Sequence, residues 1–389
     1  PDCYHTFDMS WTSYWLLRWH NDFRAEDPRI LAYCRAYGDF LLKHQQPSGF
    51  IPSYFRQDFS LLDETRLNVE SAEPAACAMF LCALHRATGE QAYLDAAVRA
   101  MEYIQREIVP ERKWFDYETF ISCSRKPYDF YDPVTAQQPQ NNMATIQAAM
   151  ANLALFEITG EDRFRAWGEN ILDHLSLTQQ AWSPPRMTPD LIGGFTTQNS
   201  DAEWSDARQA YCAMVYLDYY ECTGARECFE RGIAALRASL AVAPYENWSH
   251  CGYEDVHGSL SGFNWGLGSG MASVEMAWER YGDVFADCAT GVACGVNGCS
   301  VTHFAAEGNA IALQLVSHFE WTSPLRFVCR NAPTGSTQVT VNGVLVGAFA
   351  VDALARGIPI PQTAAGNPCG EPLPHSRPHA LCDEGGDCL

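Results

Sequence analysis

The sequence is short of positive charge. Its 389 residues hold 26 Lys and Arg against 47 Asp and Glu, a formal net charge of −21. Binding to a phosphate backbone needs a basic face, so nucleic acid is excluded as the expected partner. The same deficit argues against a long polyanionic substrate, although a local basic cleft is compatible with it. No apolar run reaches the roughly 20 residues that span a bilayer, so no membrane partner is expected, and no secretion leader is recognisable. No cysteine spacing matches a zinc pattern. Neither a metal nor a cofactor is called for. Cysteine itself is plentiful at 16 residues. Cys34, Cys77, Cys82 and Cys212 fall inside apolar helical runs, where a thiol behaves as a small hydrophobe, so most cysteines read as reduced core residues. Cys288, Cys294 and Cys299 form the one cluster that could suit a disulfide or metal, and it too reads as core.

What is present is a helical repeat. Thr88-Gly89-Glu90, Thr159-Gly160-Glu161 and Thr223-Gly224 each separate two helix-like runs. Glycine just past a helix end takes the left-handed cap conformation, so each marks a tight turn between two helices. The runs before the turns, 76–86, 144–158 and 207–221, are apolar on more than one face and read as buried helices. Those after them, 91–104, 162–175 and 226–240, carry charge on one face. Each pair is thus an αα-hairpin with one inner and one outer helix. Five are expected, over about 10–45, 68–107, 141–178, 201–243 and 267–294, the last with the weakest second half. Such units cannot bury their faces alone and must stack in an array or ring.

The hairpin period of 60 to 70 residues, the Thr-Gly turns and the aromatic loops resemble the (α/α)6 toroid of six-hairpin glycosidases and polysaccharide lyases, the unsaturated glucuronyl hydrolases included. The resemblance covers about residues 8–294. It implies a mainly α toroid, about five of six hairpins visible, with a carbohydrate substrate. The chain opens at Pro1 in mid-motif, so either an upstream segment completes the ring or the ring closes another way.

After about residue 300 the period changes from helical to alternating. Residues 310–319, 325–330 and 337–351 read as strands, and Asn342-Gly343 as a two-residue hairpin turn. The expected organisation is a toroid over 1–299, a small antiparallel β module over 300–360 and a Pro- and Gly-rich flexible tail over 361–389.

In a hairpin ring the long loops 46–67, 108–140, 179–200 and 244–266 gather at the end where the inner helices begin. Their N-terminal turns offer unsatisfied N–H groups and a positive dipole end there. The candidates at those starts are Asp8, Trp11, Asn68, Glu70, Glu73, Asn141, Asn142, Asp201, Glu203, Trp204, Asp206 and Trp265. The loops add Trp114, Tyr117, Tyr128, Tyr131, Trp182, Trp248, His250, Tyr253, Glu254, Asp255, His257 and Phe263. Aromatic planes beside carboxylates and amides suit a sugar, whose C–H faces stack while its hydroxyls are read by fixed polar groups. About half of these aromatics are expected to pack the loops instead.

Two segments stand out. In 196–209, Asp201, Glu203 and Asp206 crowd a helix start, Asp201 as its cap and the other two at spacing three on one face. In 246–270, His250, Tyr253 and His257 lie in a Gly-rich aromatic loop of the kind that approaches a ligand closely. The plain alternatives are caps, solvated first-turn acids, an acid paired with Arg208 and histidines held in loop networks. The acids suit a glycoside hydrolase acting on an oligosaccharide, uronic-acid-containing fragments included, with Glu70, Glu73 or Asp255 as partner acid. Tyr253 with His250 or His257 and Asn141 and Asn142 suits the runner-up, a lyase that removes a proton at C5. A sugar epimerase working through a histidine pair is a weaker enzyme alternative, and a non-catalytic carbohydrate-binding toroid is the third class.

Overall fold

The computed structural model describes residues 3–22, 27–62, 65–122, 126–182, 191–199, 203–206, 210–242, 248–252, 259–260, 267–318, 323–361 and 364, with the backbone alone for 22, 122, 203–206, 242, 248–252, 259–260 and 267–269. The chain divides into two compact units, Pro1–Trp182 with Ile192–Gly270, and Ser183–Leu191 with Met271–Leu389.

The first unit is built from helical hairpins: α1 (Thr6–Asp22) with α2 (Pro28–His44), α3 (Pro74–Thr88) with α4 (Gln91–Tyr103), α5 (Asn142–Thr159) with α6 (Asp162–Ser176), and α7 (Ala210–Thr223) with α8 (Arg226–Val242). Gly89, Gly160 and Gly224 end α3, α5 and α7 at φ +72, +71 and +70°. The threonine before each glycine explains why the pair recurs. Thr88, Thr159 and Thr223 donate their hydroxyls to the carbonyl four residues back, at 2.8, 2.8 and 2.7 Å. Each hydroxyl also accepts the amide two residues on, that of Glu90, Glu161 or Ala225. One side chain thus satisfies the end of one helix and the entry to the next.

The inner layer runs α1, α3, α5, α7. Ser10 of α1 meets Cys77 of α3, Arg86 of α3 pairs with Glu157 of α5, and Tyr219 of α7 donates to the Ala149 carbonyl of α5 at 2.9 Å. Tyr211 of α7 then packs edge-on against Trp11 of α1 at 4.7 Å between centroids, so the layer returns to its start. Residues 74–82 of α3 are buried without a break, and α5 and α7 are buried on most of their surface, as expected of inner helices. Gly168 in α6 makes room for the Tyr219 ring, whose hydroxyl lies where a β-carbon would stand.

Short strands serve the other end of the hairpins. Strand β1 (Cys3–His5) pairs antiparallel with β2 (Tyr54–Arg56), while β3 (Glu203–Asp206), β4 (Trp248–Gly252) and β5 (Ser259–Leu260) form an antiparallel ribbon. Residues 203–206, expected in the first turns of a helix from residue 201, are therefore a strand, and the helix is described over Ala210–Thr223. Glu-Trp-Ser-Asp holds three weak helix formers, and pairing with β4 supplies its backbone bonds instead.

The second unit holds the strand-rich end of the chain. Helix α9 (Leu267–Tyr281) runs into it and ends at Gly282, φ +67°. The hairpin expected over 267–294 lacks its second helix. Its place is taken by β6 (Val284–Asp287) and β7 (Val292–Gly295), because the Gly-containing turn at 288–291 folds two short apolar runs against each other. The rest comprises β8 (Cys299–Glu307), β9 (Ala310–Ser317), β10 (Leu325–Arg330), β11 (Ser336–Val341), β12 (Val344–Ala350), α10 (Val351–Arg356) and β13 (Ile358–Ile360). Two sheets result, ordered β13-β10-β6-β7 and β12-β11-β9-β8. Most pairs are antiparallel as expected, but β6–β10 and β9–β11 are parallel. Asn342 and Gly343 make the expected β11–β12 turn, at φ +50 and +81°. Ile311, Leu313, Phe327, Val339 and Val341 lie in the shared core. The mainly α hairpin architecture followed by a β module is thus the fold of this chain.

Candidate functional site

Asn141 stands where α5 begins, in extended conformation, and its side-chain oxygen caps the helix by accepting the Met143 amide at 2.8 Å. Its Nδ2 carries two hydrogens and serves two carboxyl groups, Asp116 Oδ1 and Glu118 Oε2, each at 3.2 Å. Asp116 opens the short π-helical turn Glu118–Ser122. Its Oδ1 also accepts the Thr119 amide at 3.2 Å and the Thr119 hydroxyl at 3.3 Å. Oδ2, equally buried, has no hydrogen-bond partner among the described residues.

Asp116 is fully buried, and Glu118 is half-buried. Burial holds the Asp116 carboxyl well above its ordinary range, and the nearby charges of Glu118 and Glu73 push it further the same way. The Thr119 amide and hydroxyl on Oδ1 act in the opposite direction, because hydrogen bonds donated to a carboxylate favour its ionised form.

Glu73 occupies the residue before α3 and is also fully buried. It accepts the Thr6 hydroxyl and the Tyr117 amide, both at 2.8 Å, which fixes α1 and the 114–122 loop relative to α3. Burial raises its carboxyl, with His5 acting in the opposite direction. The His5 ring lies flat on Tyr117, 3.7 Å between centroids and 6° between planes. Tyr54 lies 5.9 Å from Tyr117, and His5 Nε2 contacts Asp8 Oδ2 at 3.2 Å. The site is therefore a set of buried acids beside a slab of aromatic faces, assembled from β1, β2, the starts of α3 and α5 and the 114–122 loop.

The residues expected from the sequence meet different circumstances. Asn141 joins the carboxyl pair directly. Asn142 donates to Thr178 Oγ1 at 3.0 Å and to the Thr196 carbonyl at 2.7 Å, fastening the 196–199 segment beside α5. Glu70 is engaged by Arg66 at 2.8 Å and Lys113 at 3.2 Å. Burial pushes its carboxyl up, but these two cations outweigh burial and hold it below the ordinary range. Trp114 is buried, and Tyr128 packs on Phe120 within the loop.

Asp201, Tyr253, His257 and Trp265 lie outside the described residues, and Glu203, Trp204, Asp206, Trp248 and His250 are described by backbone alone. The β3–β4 register sets Asp206 opposite His250 and Glu203 opposite Gly252, so two segments some 45 positions apart meet in one ribbon. The shared helical face inferred for Glu203 and Asp206 does not apply, because 203–206 is a strand. The chain entering that ribbon is tied to the site: the Asn142 amide bonds the Thr197 carbonyl at 2.8 Å, and the Gln140 amide donates to Asn199 Oδ1 at 2.8 Å.

Sequence reasoning missed Asp116, Glu118, His5 and Tyr54. A signal for the first two was available in Trp114-Phe115-Asp116-Tyr117-Glu118, where two acids flank a tyrosine in a long loop. Nothing local marks His5 or Tyr54.

No family model matches the chain, and no curated protein does. Among solved structures, it is similar to a sugar epimerase from a ruminal bacterium, with 13% identity and a TM-score of 0.48, covering 71% of this chain and 72% of the other. It is also similar to a glycoside hydrolase family 76 mannosidase from Bacteroides thetaiotaomicron, with 15% identity, a TM-score of 0.44 and 72% of each chain covered. A third is the cellobiose 2-epimerase of Bacillus thermoamylovorans, with 10% identity and a TM-score of 0.49 over 71% of this chain and 72% of that one.

Proposed function

We propose that this chain is a carbohydrate-processing enzyme, and specifically a glycoside hydrolase whose substrate-facing carboxyl is Glu118. The observation that carries this reading is the Asn141 amide shared by the half-buried Glu118 and the buried Asp116, whose carboxyl burial pushes well above its ordinary range. Glycoside cleavage needs one carboxyl that holds a proton at working pH and one ionised partner. In this scheme Glu118 touches the glycosidic oxygen. Asp116, too deep to touch a ligand, is a positioning residue that acts on Glu118 through the Asn141 amide they both accept from. The faces of Tyr54, Tyr117 and His5 suit the C–H face of a pyranoside. The opposing carboxyl comes from the Asp201, Glu203, Asp206 group, whose segment follows directly on the residues bonded to Gln140 and Asn142.

A neutral sugar is favoured over a uronate. Arg66 and Lys113, two cations of the neighbouring loops, already serve Glu70, and Arg66 also donates to the Tyr128 carbonyl. A specific observation supports a second reading, proton transfer on a sugar without bond cleavage: the His5–Asp8 contact is an acid–base couple in the same aromatic slab.

The test is incubation with a panel of neutral and uronate oligosaccharides, following reducing ends, near-ultraviolet absorbance and sugar identity together. New reducing ends without absorbance gain support hydrolysis, and an absorbance gain replaces it by elimination. A changed sugar with no new ends moves the chemistry to His5.

A further inference from the structure

The geometry points to a dithiol modification site in the second unit: Cys288 and Cys329 join as a disulfide when the protein meets a low-molecular-weight disulfide such as oxidised glutathione. This rests on strand register and is independent of the carbohydrate reading. Strands β6 and β10 run parallel with Ala286 opposite Cys329 and Asp287 opposite Arg330. Alternation along β6 puts Ala286 and Cys288 on one face of the sheet, the face Cys329 shares. The Cys288 amide donates to the Arg330 carbonyl at 3.0 Å, which extends the ladder to Cys288 and fixes its backbone.

The two sulfurs consequently lie 3.6 Å apart, although 41 positions separate them in sequence. A disulfide needs about 2.05 Å, a difference that side-chain rotation at Cys288 can supply. The cysteines nearer in sequence are placed differently. Cys294 stands opposite Phe285, on the other face by the same alternation, and Cys299 donates to the Asp283 carbonyl at 3.5 Å. The trio suggested by sequence spacing is thus replaced by one pair assembled across strands.

Burial assigns the order of events. Cys329 is inside the core with Val284, Ala286 and Leu325, whereas Cys288 packs at its edge and is half-buried. The Cys288 thiolate attacks one sulfur of the glutathione disulfide, forming a mixed disulfide and releasing one glutathione thiolate. Cys329, after losing its proton to water, attacks the Cys288 sulfur and releases the second glutathione. Two protein thiols are oxidised and one disulfide is reduced, so electrons and protons balance. Burial pushes both thiols up, Asp287 adds to this, and exchange is therefore slow at neutral pH and faster as pH rises.

The experiment treats the full chain with oxidised glutathione at mildly alkaline pH, blocks remaining thiols with an alkylating agent and maps peptides by mass. Mapping is needed because the chain has 16 cysteines. The expected result is a linked peptide pair containing Cys288 and Cys329, lost on reduction, with Cys329→Ser retaining glutathione on Cys288. Full alkylation of both residues in the oxidised wild type overturns the proposal, as does glutathione retained on wild-type Cys288 without closure. The wild-type map decides the matter even where the variant fails to fold.

Discussion

The two ends of the hairpins in the first unit follow opposite rules. At the short-turn end, three Thr-Gly turns repeat one arrangement of bonds in which every partner is within four residues of the threonine. At the long-loop end, Asp116, Glu118 and Asn141 meet across 23 to 25 positions of chain, and Glu73 bonds Thr6 across 67. The first end satisfies its polar groups locally and so stabilises. The second buries acids at a cost that only a functional demand or a compensating network sustains. Stability and chemistry are therefore expected to respond to different substitutions.

The largest expected effect is at the acid end. Glu118→Gln removes the carboxyl proposed to face the substrate and is expected to lower turnover by about 100- to 10,000-fold, with melting temperature nearly unchanged. Comparable turnover in wild type and variant would place the chemistry elsewhere. Next is Asn141→Ala, which removes a helix cap and strips the donor from two carboxyl groups. Calorimetry should show about 2–4 kcal/mol of lost stability together with lost activity. At the other end, Gly160→Ala forces a side chain into the left-handed region where a β-carbon would touch nothing. A loss of about 1 kcal/mol in denaturant melts is expected, with activity per folded molecule unaltered. If this variant lost activity selectively, the separation between the two ends would fail.

The smallest effect is in the pH dependence. An acid whose folded pKa lies above its unfolded one binds more protons when folded. Its contribution to stability is therefore full at low pH and is withdrawn as pH rises from the ordinary carboxylate range towards the raised value. Asp116 and Glu73 both have this sign, whereas Asp27, lowered to about 2 by Arg29, has the opposite one. The difference between wild type and Asp116→Asn isolates one group. The variant should gain stability relative to wild type as pH rises, read from melts at several pH values, and a flat difference would mean that Asp116 is ionised in the folded protein.

The same contrast sets how far the sequence could be read. The Thr-Gly turns, the inner helices and the Asn342-Gly343 hairpin were legible because their causes are local. The parallel pairing of β6 with β10, the strand at 203–206 and the loss of a second helix after α9 depend on partners far along the chain. At the site, Asn141 was legible as a residue at a helix start, and Glu73 as an acid near one. Asp116 and Glu118 stand in a loop whose fold is set by Glu73, Asn141 and Thr119, so spacing alone did not distinguish them from surface acids.

The account rests most directly on the raised carboxyl of Asp116. Infrared difference spectra between wild type and Asp116→Asn at neutral pH should contain the carbonyl band of a protonated carboxyl in the wild type alone, persisting well above the pH at which ordinary carboxyl groups ionise. A difference spectrum containing only a carboxylate band at Asp116 would contradict the raised Asp116 carboxyl and the chemistry built on it.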